Sequence, residues 1–181
     1  MEDKTRWFAI SVTPRKEKVA AQALRAHGYE EFLPLYSEKR KWSDRVQPVE
    51  VPLFHGYIFG RFDPEFRLPI LKIPSVNHVV GLGKTPHPVD DAEIAALQTI
   101  CKAGMEALPC PYLTAGAKVT ILEGPLKGLE GIMLETARGG GGGAAATRLV
   151  VSVTLLQRSI SVEVDREWIS PLKTYKEFAR L

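Results

Sequence analysis

Catalysis or metal binding would need histidines, thiols and carboxylates placed together, and this sequence scatters them. His27, His55, His78 and His87 stand apart, and none lies at helical ligand spacing from a cysteine or a carboxylate. The two cysteines, Cys101 and Cys110, form no CxxC or Cys/His pattern, which argues against a disulfide framework and a structural zinc. Asp90-Asp91 suits helix capping better than metal ligation. Gly83-Lys84-Thr85 has the last three residue types of a phosphate-binding loop. That motif fails here, because His78 stands where its first glycine is required and Pro86 where a helix must begin. The expectation is a protein without catalytic residues, metal or cofactor.

Two other groupings carry chemistry of association. The run Val51 to Asp63, VPLFHGYIFGRFD, gathers Phe54, Tyr57, Phe59 and Phe62 around one His55-Gly56 break. Such rings fit either the centre of a core or a surface that another macromolecule covers. In a strand, Tyr57, Phe59 and Arg61 share one side while Ile58, Gly60 and Phe62 share the other, and a slip of one residue inverts the two. A bend at Gly56 lets Phe54 join either set. Tyr57 and Phe59 are expected on the contact side, and Ile58 and Phe62 on the core side. The second grouping is Lys39-Arg40-Lys41-Trp42 with Arg45, four cations and an indole on a hairpin tip. Phosphate attraction with ring stacking suits single-stranded or forked nucleic acid. A solvated turn, partly neutralised by Glu38 and Asp44, fits the same residues equally well.

The elements that must hold these groups are legible as patterns. Arg6 to Val12 alternates as a strand, and Thr13-Pro14 has the form of a helix start. Val19, Ala20, Ala23 and Leu24 form its apolar stripe, and Gly28 ends it. A second strand begins near Phe32, Ser37 to Gln47 is the charged hairpin tip, and the aromatic run is the third strand. A short helix or turn follows from Asp63-Pro64 to about Leu71, and Val76 to Leu82 forms a fourth strand. Asp90 with Glu93 resembles an acidic capping box before a helix carrying Ile94, Leu97, Ile100, Cys101 and Met105. This order, β-α-β-β-α-β with an added helix, is the split βαβ or ferredoxin-like arrangement.

Leu108-Pro109-Cys110-Pro111 breaks the chain as a linker would. Short strands follow at Lys118 to Leu122, Leu129 to Glu135, Arg148 to Leu155 and Ser159 to Val164, with a stub at Trp168-Ile169. With glycine-rich turns they predict a small all-β barrel, with Gly139 to Gly143 as a hairpin loop. The fold class is therefore α+β. The expected division is 5–106, a linker at 107–113, a barrel at 114–172 and a tail at 173–181.

The 181 residues, 45% hydrophobic and 25% charged, are those of an ordinary globular chain. A net charge of +3 is too mild to establish nucleic-acid binding by itself. The start lacks a cationic segment followed by a long apolar one. The longest apolar run, Leu149 to Leu156, is far shorter than the ~20 residues of a membrane helix. A cytoplasmic location away from membranes is expected.

Trp7-Phe8, the helix ending at Gly28 and Leu53-Phe54-His55-Gly56-Tyr57-Ile58-Phe59 resemble the N-terminal (NGN) domain of the NusG family of transcription elongation factors. Gly116 to Leu134, GAKVTILEGPLKGLEGIML, resembles the family's KOW motif, and Val151-Ser152-Val153 with Val162-Glu163-Val164 the rest of that SH3-like barrel. The likeness runs from about Arg6 to Leu172. It implies a monomer whose NGN domain binds the clamp helices of the largest subunit of RNA polymerase, near the DNA and nascent RNA of the transcription bubble. The aromatic pocket then maps to Phe54, Tyr57 and Phe59, with Phe8 and Ile10 as support, and Phe8 is counted with the three rings among the polymerase-binding residues. It also implies a KOW contact loop at Leu155, Leu156, Gln157 and Arg158, for which a ribosomal protein, Rho or RNA is the typical partner.

His55 stands where the family usually has proline. The Phe62-Asp63-Pro64 ending and the 155–159 loop look closer to specialised paralogues of the RfaH, LoaP and UpxY kind, which act as operon-specific antiterminators. A housekeeping NusG-type factor and a free RNA-binding KOW protein are the alternatives. The latter would not need the aromatic patch, so co-purification with polymerase separates it from the others.

Overall fold

The computed structural model describes residues 4–41, 45–113, 115–135 and 147–172. Trp42, the pentaglycine and the 173–181 tail lie outside the described residues.

The N-terminal part is built on strand β1 (Arg6–Val12), followed by helix α1 (Glu17–Ala26). The helix starts later than Thr13-Pro14 suggests. Lys16 donates its N–H to the Thr13 carbonyl and Arg15 adopts φ 69°, so residues 13–16 form a turn before the helix. The buried stripe is Glu17, Ala20, Ala21 and Leu24, while Val19 is half exposed. At the other end Gly28 takes φ +82°. Its N–H bonds the Arg25 carbonyl and that of Tyr29 bonds Leu24, which closes the helix in a Schellman motif.

Strand β2 (Glu30–Phe32) leads into a long hairpin, β3 (Leu35–Lys41) and β4 (Val46–Pro52), and then into β5 (Tyr57–Phe62). A 3-10 turn, Pro64–Phe66, and the short α2 (Leu68–Leu71) connect β5 to β6 (Val76–Val79). A two-residue ladder, β7 (Gly81–Leu82) with β8 (Thr85–Pro86), precedes α3 (Asp91–Lys102). The main sheet has the order β2-β5-β1-β6 with antiparallel pairs throughout, the ferredoxin-like arrangement.

Strand parity gives this sheet two apolar sides. Phe8, Ile10, Val12, Ile58 and Phe62 pack with Ala20, Leu24 and Ile70 of α1 and α2. Trp7, Ala9 and Phe59 face the opposite way, against Ile94, Leu97 and Ile100 of α3. Asp90 caps α3 by accepting the Ala92 N–H. Glu93 does not complete the expected capping box, because its carboxylate is bonded to Thr154.

The C-terminal part is a six-stranded antiparallel sheet of order β14-β10-β11-β12-β13-β9. Its strands are β9 (Ala107–Cys110), β10 (Ala117–Ile121), β11 (Glu130–Glu135), β12 (Thr147–Val153), β13 (Arg158–Val164) and β14 (Ile169–Pro171). Residues 107–110, expected within the linker, instead pair with the edge of β13, Ala107 opposite Val162 and Cys110 opposite Ser159. An outer strand tolerates Pro109 and covers an otherwise open edge. Leu113 then donates its N–H to Ser159 Oγ, which fastens the chain to the sheet as it leaves β9.

Val119, Ile121, Leu149, Val151, Val153, Ile160 and Val162 form the interior of this sheet. The same apolar cluster continues without a break to Phe59, Trp7 and α3. The two parts are thus packed against each other. Gly131 is required where β11 meets β12, since a Cβ there would lie 2.6 Å from the Val150 carbonyl oxygen. Gly131→Ala should destabilise the protein by about 1–3 kcal/mol, measured by chemical denaturation.

Candidate interaction site

The aromatic side of the N-terminal sheet is organised by the turn preceding β5. Gly56 adopts φ +79°, its carbonyl accepts the Val12 N–H at 2.8 Å, and Tyr57 N–H bonds the Phe54 carbonyl at 3.1 Å. The Gly56 N–H is bound by the Glu17 carboxylate at 2.8 Å, and Glu17 is only 3% exposed. The turn that carries His55 in place of proline is therefore held from α1 by a charge-assisted hydrogen bond. His55 itself is exposed. The clue to Glu17 lay in its phase: positions 17, 20, 21 and 24 share one helix face, so a carboxylate at 17 points inward.

The expected polymerase-contact residues separate into two sets. Phe8 lies on the other side of the sheet, 2% exposed, with its ring centroid 4.8 Å from that of Phe62. Its assignment to the contact surface is corrected by strand parity: residue 8 alternates with 7 and 9, and those two face α3. Phe54, Phe59 and Tyr57 do come together. Phe54 and Phe59 meet edge to face at 5.8 Å, and Phe32 stacks on Phe59 at 6.1 Å. Phe54 and Phe59 are 1% and 0% exposed, so they are core rings in this arrangement, and Tyr57 is the partly accessible ring at their margin.

Against that margin lies the expected contact loop of the C-terminal sheet. Thr154–Leu156 forms a 3-10 turn that ends at Gln157 in the left-handed region, φ 51°. Leu155 and Leu156 pack on the shared apolar cluster. The Arg158 guanidinium lies 5.3 Å from the Tyr57 ring centroid, a cation–π distance. Glu93 accepts the Thr154 hydroxyl at 2.7 Å and its N–H at 3.1 Å. Tyr57 and the 155–158 loop, read from sequence as sites for different partners, thus touch each other. Glu93 and Thr154 were missed because their pairing joins residues 61 apart with no local pattern. Beside this contact a groove of about 650 Å³ lies between Ala92, Ala96 and Thr99 of α3 and Lys118, Glu130 and Ser152 of the C-terminal sheet.

Lys39, Arg40 and Lys41 lie on a strand, and Arg45 directly precedes the next one. Strand β3 continues through Lys41 and β4 resumes at Val46, so Lys39, Arg40 and Lys41 occupy the far end of a two-stranded arm, with Arg45 beside it. All four are exposed, and Arg40 is paired to Glu38 at 2.9 Å. Trp42 lies outside the described residues. Burial pushes the thiols of Cys101 and Cys110 up from their ordinary pKa, which keeps both protonated and weakly nucleophilic. Among the described residues no three His, Cys, Asp or Glu side chains are grouped to hold a metal, and no helix is long and apolar enough to cross a membrane.

A ferredoxin-like sheet with an aromatic side, followed by a small β domain, is the two-domain architecture of a NusG-type transcription factor. The family model for NusG, described as transcription termination factor nusG, matches residues 5–98 of the 181. The chain belongs to the NusG family, and its role is that of a transcription elongation factor. Members of that family act with RNA polymerase and are not enzymes. Among solved structures, "Domain interaction in Thermotoga maritima NusG" is similar at TM-score 0.56 and 18% identity, covering 94% of this chain and 98% of that one. The MjSpt4:Spt5 complex also matches in conformations B and A, each at TM-score 0.30 and 15% identity over 93% of this chain, and 97% and 99% of those chains.

Glu17→Ala leaves the Gly56 N–H without its partner and should lower stability by about 1–3 kcal/mol in a denaturant titration. Phe59→Ala empties a fully buried site and should lose about 3–5 kcal/mol, whereas Tyr57→Ala at the margin should lose much less. Equal losses for the two rings would contradict this placement.

Proposed function

We propose that the protein binds the clamp helices of the largest RNA polymerase subunit through the margin of its aromatic side and promotes processive elongation and antitermination on a restricted set of operons. The observation that carries this reading is the Tyr57 margin. A partly accessible ring packs on the apolar cluster that contains Phe54 and Phe59, and Arg158 of a separate domain lies over it. An amphipathic helix with charged rims suits such a surface. Phe54 and Phe59, in the apolar cluster on which Tyr57 packs, support the contact from beneath. Phe8 supports the fold from the opposite side.

In this reading the β3–β4 arm reaches DNA or nascent RNA near the bubble through Lys39, Lys41 and Arg45, with Arg40 partly neutralised by Glu38. Trp42, next in sequence after Lys41, supplies a ring for base stacking. The loop Leu155, Leu156, Gln157 and Arg158 serves as the recruitment surface toward a ribosomal protein or Rho. Its departure from the family pattern, together with the Phe62-Asp63-Pro64 ending, supports a specialist over a housekeeping factor. The protein acts as a monomer in the cytoplasm, with no cofactor.

Tyr57→Ala should weaken binding to core RNA polymerase by about tenfold or more, the effect of losing one anchor of about 2 kcal/mol. Unchanged affinity in a fold-intact variant would sink the assignment. Replacing Lys39 and Lys41 by glutamine should flatten the salt dependence of binding to a forked DNA by roughly one unit of slope per lost phosphate contact. A slope equal to that of the unmodified protein would count against the arm. Polymerase-associated occupancy across the genome should concentrate on a few operons; uniform occupancy would make this a housekeeping factor.

A further inference from the structure

Residues 54–57 form a type II turn that lacks the usual local restraint. The Tyr57 N–H bonds the Phe54 carbonyl at 3.1 Å, and Gly56 in the third position has φ +79°. These are the closing bond and the left-handed residue of that turn type, whose second position favours proline. His55 fills the second position with a negative φ, and among the described residues nothing accepts its N–H. Proline there would cost no hydrogen bond and would fix φ at about −65°. With histidine the backbone of residue 55 keeps its freedom. The restraint comes instead from Glu17, 39 residues earlier, whose buried carboxylate accepts the Gly56 N–H at 2.8 Å. Glu17 is the first residue of α1, where a helix N-terminus favours a negative charge.

Resting on the polymerase reading above, we infer that Glu17 is a positioning residue for polymerase binding. It sets the backbone at Tyr57 through the 54–57 turn, in the role that a proline at position 55 would otherwise fill. The two restraints act on different atoms and select the same turn, so either one is sufficient. Glu17 is 3% exposed and makes no contact with a partner itself. It acts by raising the fraction of molecules in which the turn presents Tyr57, and the apparent affinity scales with that fraction. Placing the restraint on α1 leaves the exposed position 55 open to a polar side chain without loosening the turn.

The test compares Glu17→Ala, His55→Pro and the two together in the full chain, with Tyr57 intact. Hydrogen exchange at the Tyr57 amide, which closes the turn, reports turn formation without any polymerase present. Glu17→Ala should speed that exchange and weaken binding to core RNA polymerase by about fivefold or more, the effect of losing a charge-assisted hydrogen bond. Adding His55→Pro should return both exchange and affinity to near those of the unmodified chain, while His55→Pro alone leaves the affinity unchanged. A merely structural role would not give this recovery. Gly131→Ala, which lowers stability from the other domain, should leave the affinity as it was. Unchanged exchange in Glu17→Ala, no recovery in the double variant, or weaker binding by His55→Pro alone would each overturn the inference. Should Glu17→Ala fail to fold, Glu17→Gln keeps an acceptor oxygen without the charge and gives the same comparison on a smaller scale. Tyr57→Ala separates the inference from the reading it rests on. If it weakens binding and Glu17→Ala does not, Glu17 is not a positioning residue. If neither weakens binding, the polymerase reading itself is removed, and the inference with it.

Discussion

A β-sheet whose two sides are both apolar must be covered twice, and the rest of this structure follows from that constraint. One side, with Phe8, Ile10, Ile58 and Phe62, is closed by α1 and α2 within the N-terminal domain. The other side, with Trp7, Ala9 and Phe59, receives α3, and its apolar cluster then runs on into the C-terminal sheet. Burial of apolar surface is non-directional, so any element of suitable shape lowers the free energy of that side. The second cover is supplied here in part by a neighbouring domain, whereas the α1 side is closed within the N-terminal domain.

Specificity at this junction comes from polar groups. Apolar contacts alone would let the C-terminal sheet slide, whereas the Glu93 carboxylate on Thr154 and the Arg158 guanidinium on Tyr57 select one register. On the N-terminal side Glu17 does comparable work by binding the Gly56 N–H, which fixes the turn that aims Tyr57. Both carboxylates act on backbone N–H groups that are not part of a helix or sheet ladder. An unpaired donor is expensive at the part-buried Gly56, so the Glu17 pair restricts the local backbone more than its net energy suggests.

The fold was largely legible in the chain because it rests on short-range periodicity. Alternation in Arg6–Val12 and Tyr57–Phe62 assigned Ile58 and Phe62 to the core and Tyr57 and Phe59 to the opposite side, and the structure has that parity. The boundaries were less visible. The start of α1 moved because Arg15 takes a left-handed conformation that Thr13-Pro14 does not announce. Residues 107–110 became a strand because an open edge on β13 was available, a fact about a partner about 50 residues away. The expected site was legible as a set of rings but not as a surface. Three of its four aromatics, Phe8, Phe54 and Phe59, are buried, and burial depends on everything that packs around them.

The sequence by itself determined the elements, their order, the kinship with NusG proteins and the existence of an aromatic side, since propensity, periodicity and glycine placement act locally. Only the tertiary structure decided which ring stays accessible, that Glu17 holds the Gly56 turn, and that Thr154 to Arg158 rests on Tyr57 and Glu93. Those facts join residues 39, 61 and about 100 positions apart. Contacts at such separation are selected by the free energy of the whole packed arrangement, and no local pattern in the chain encodes them.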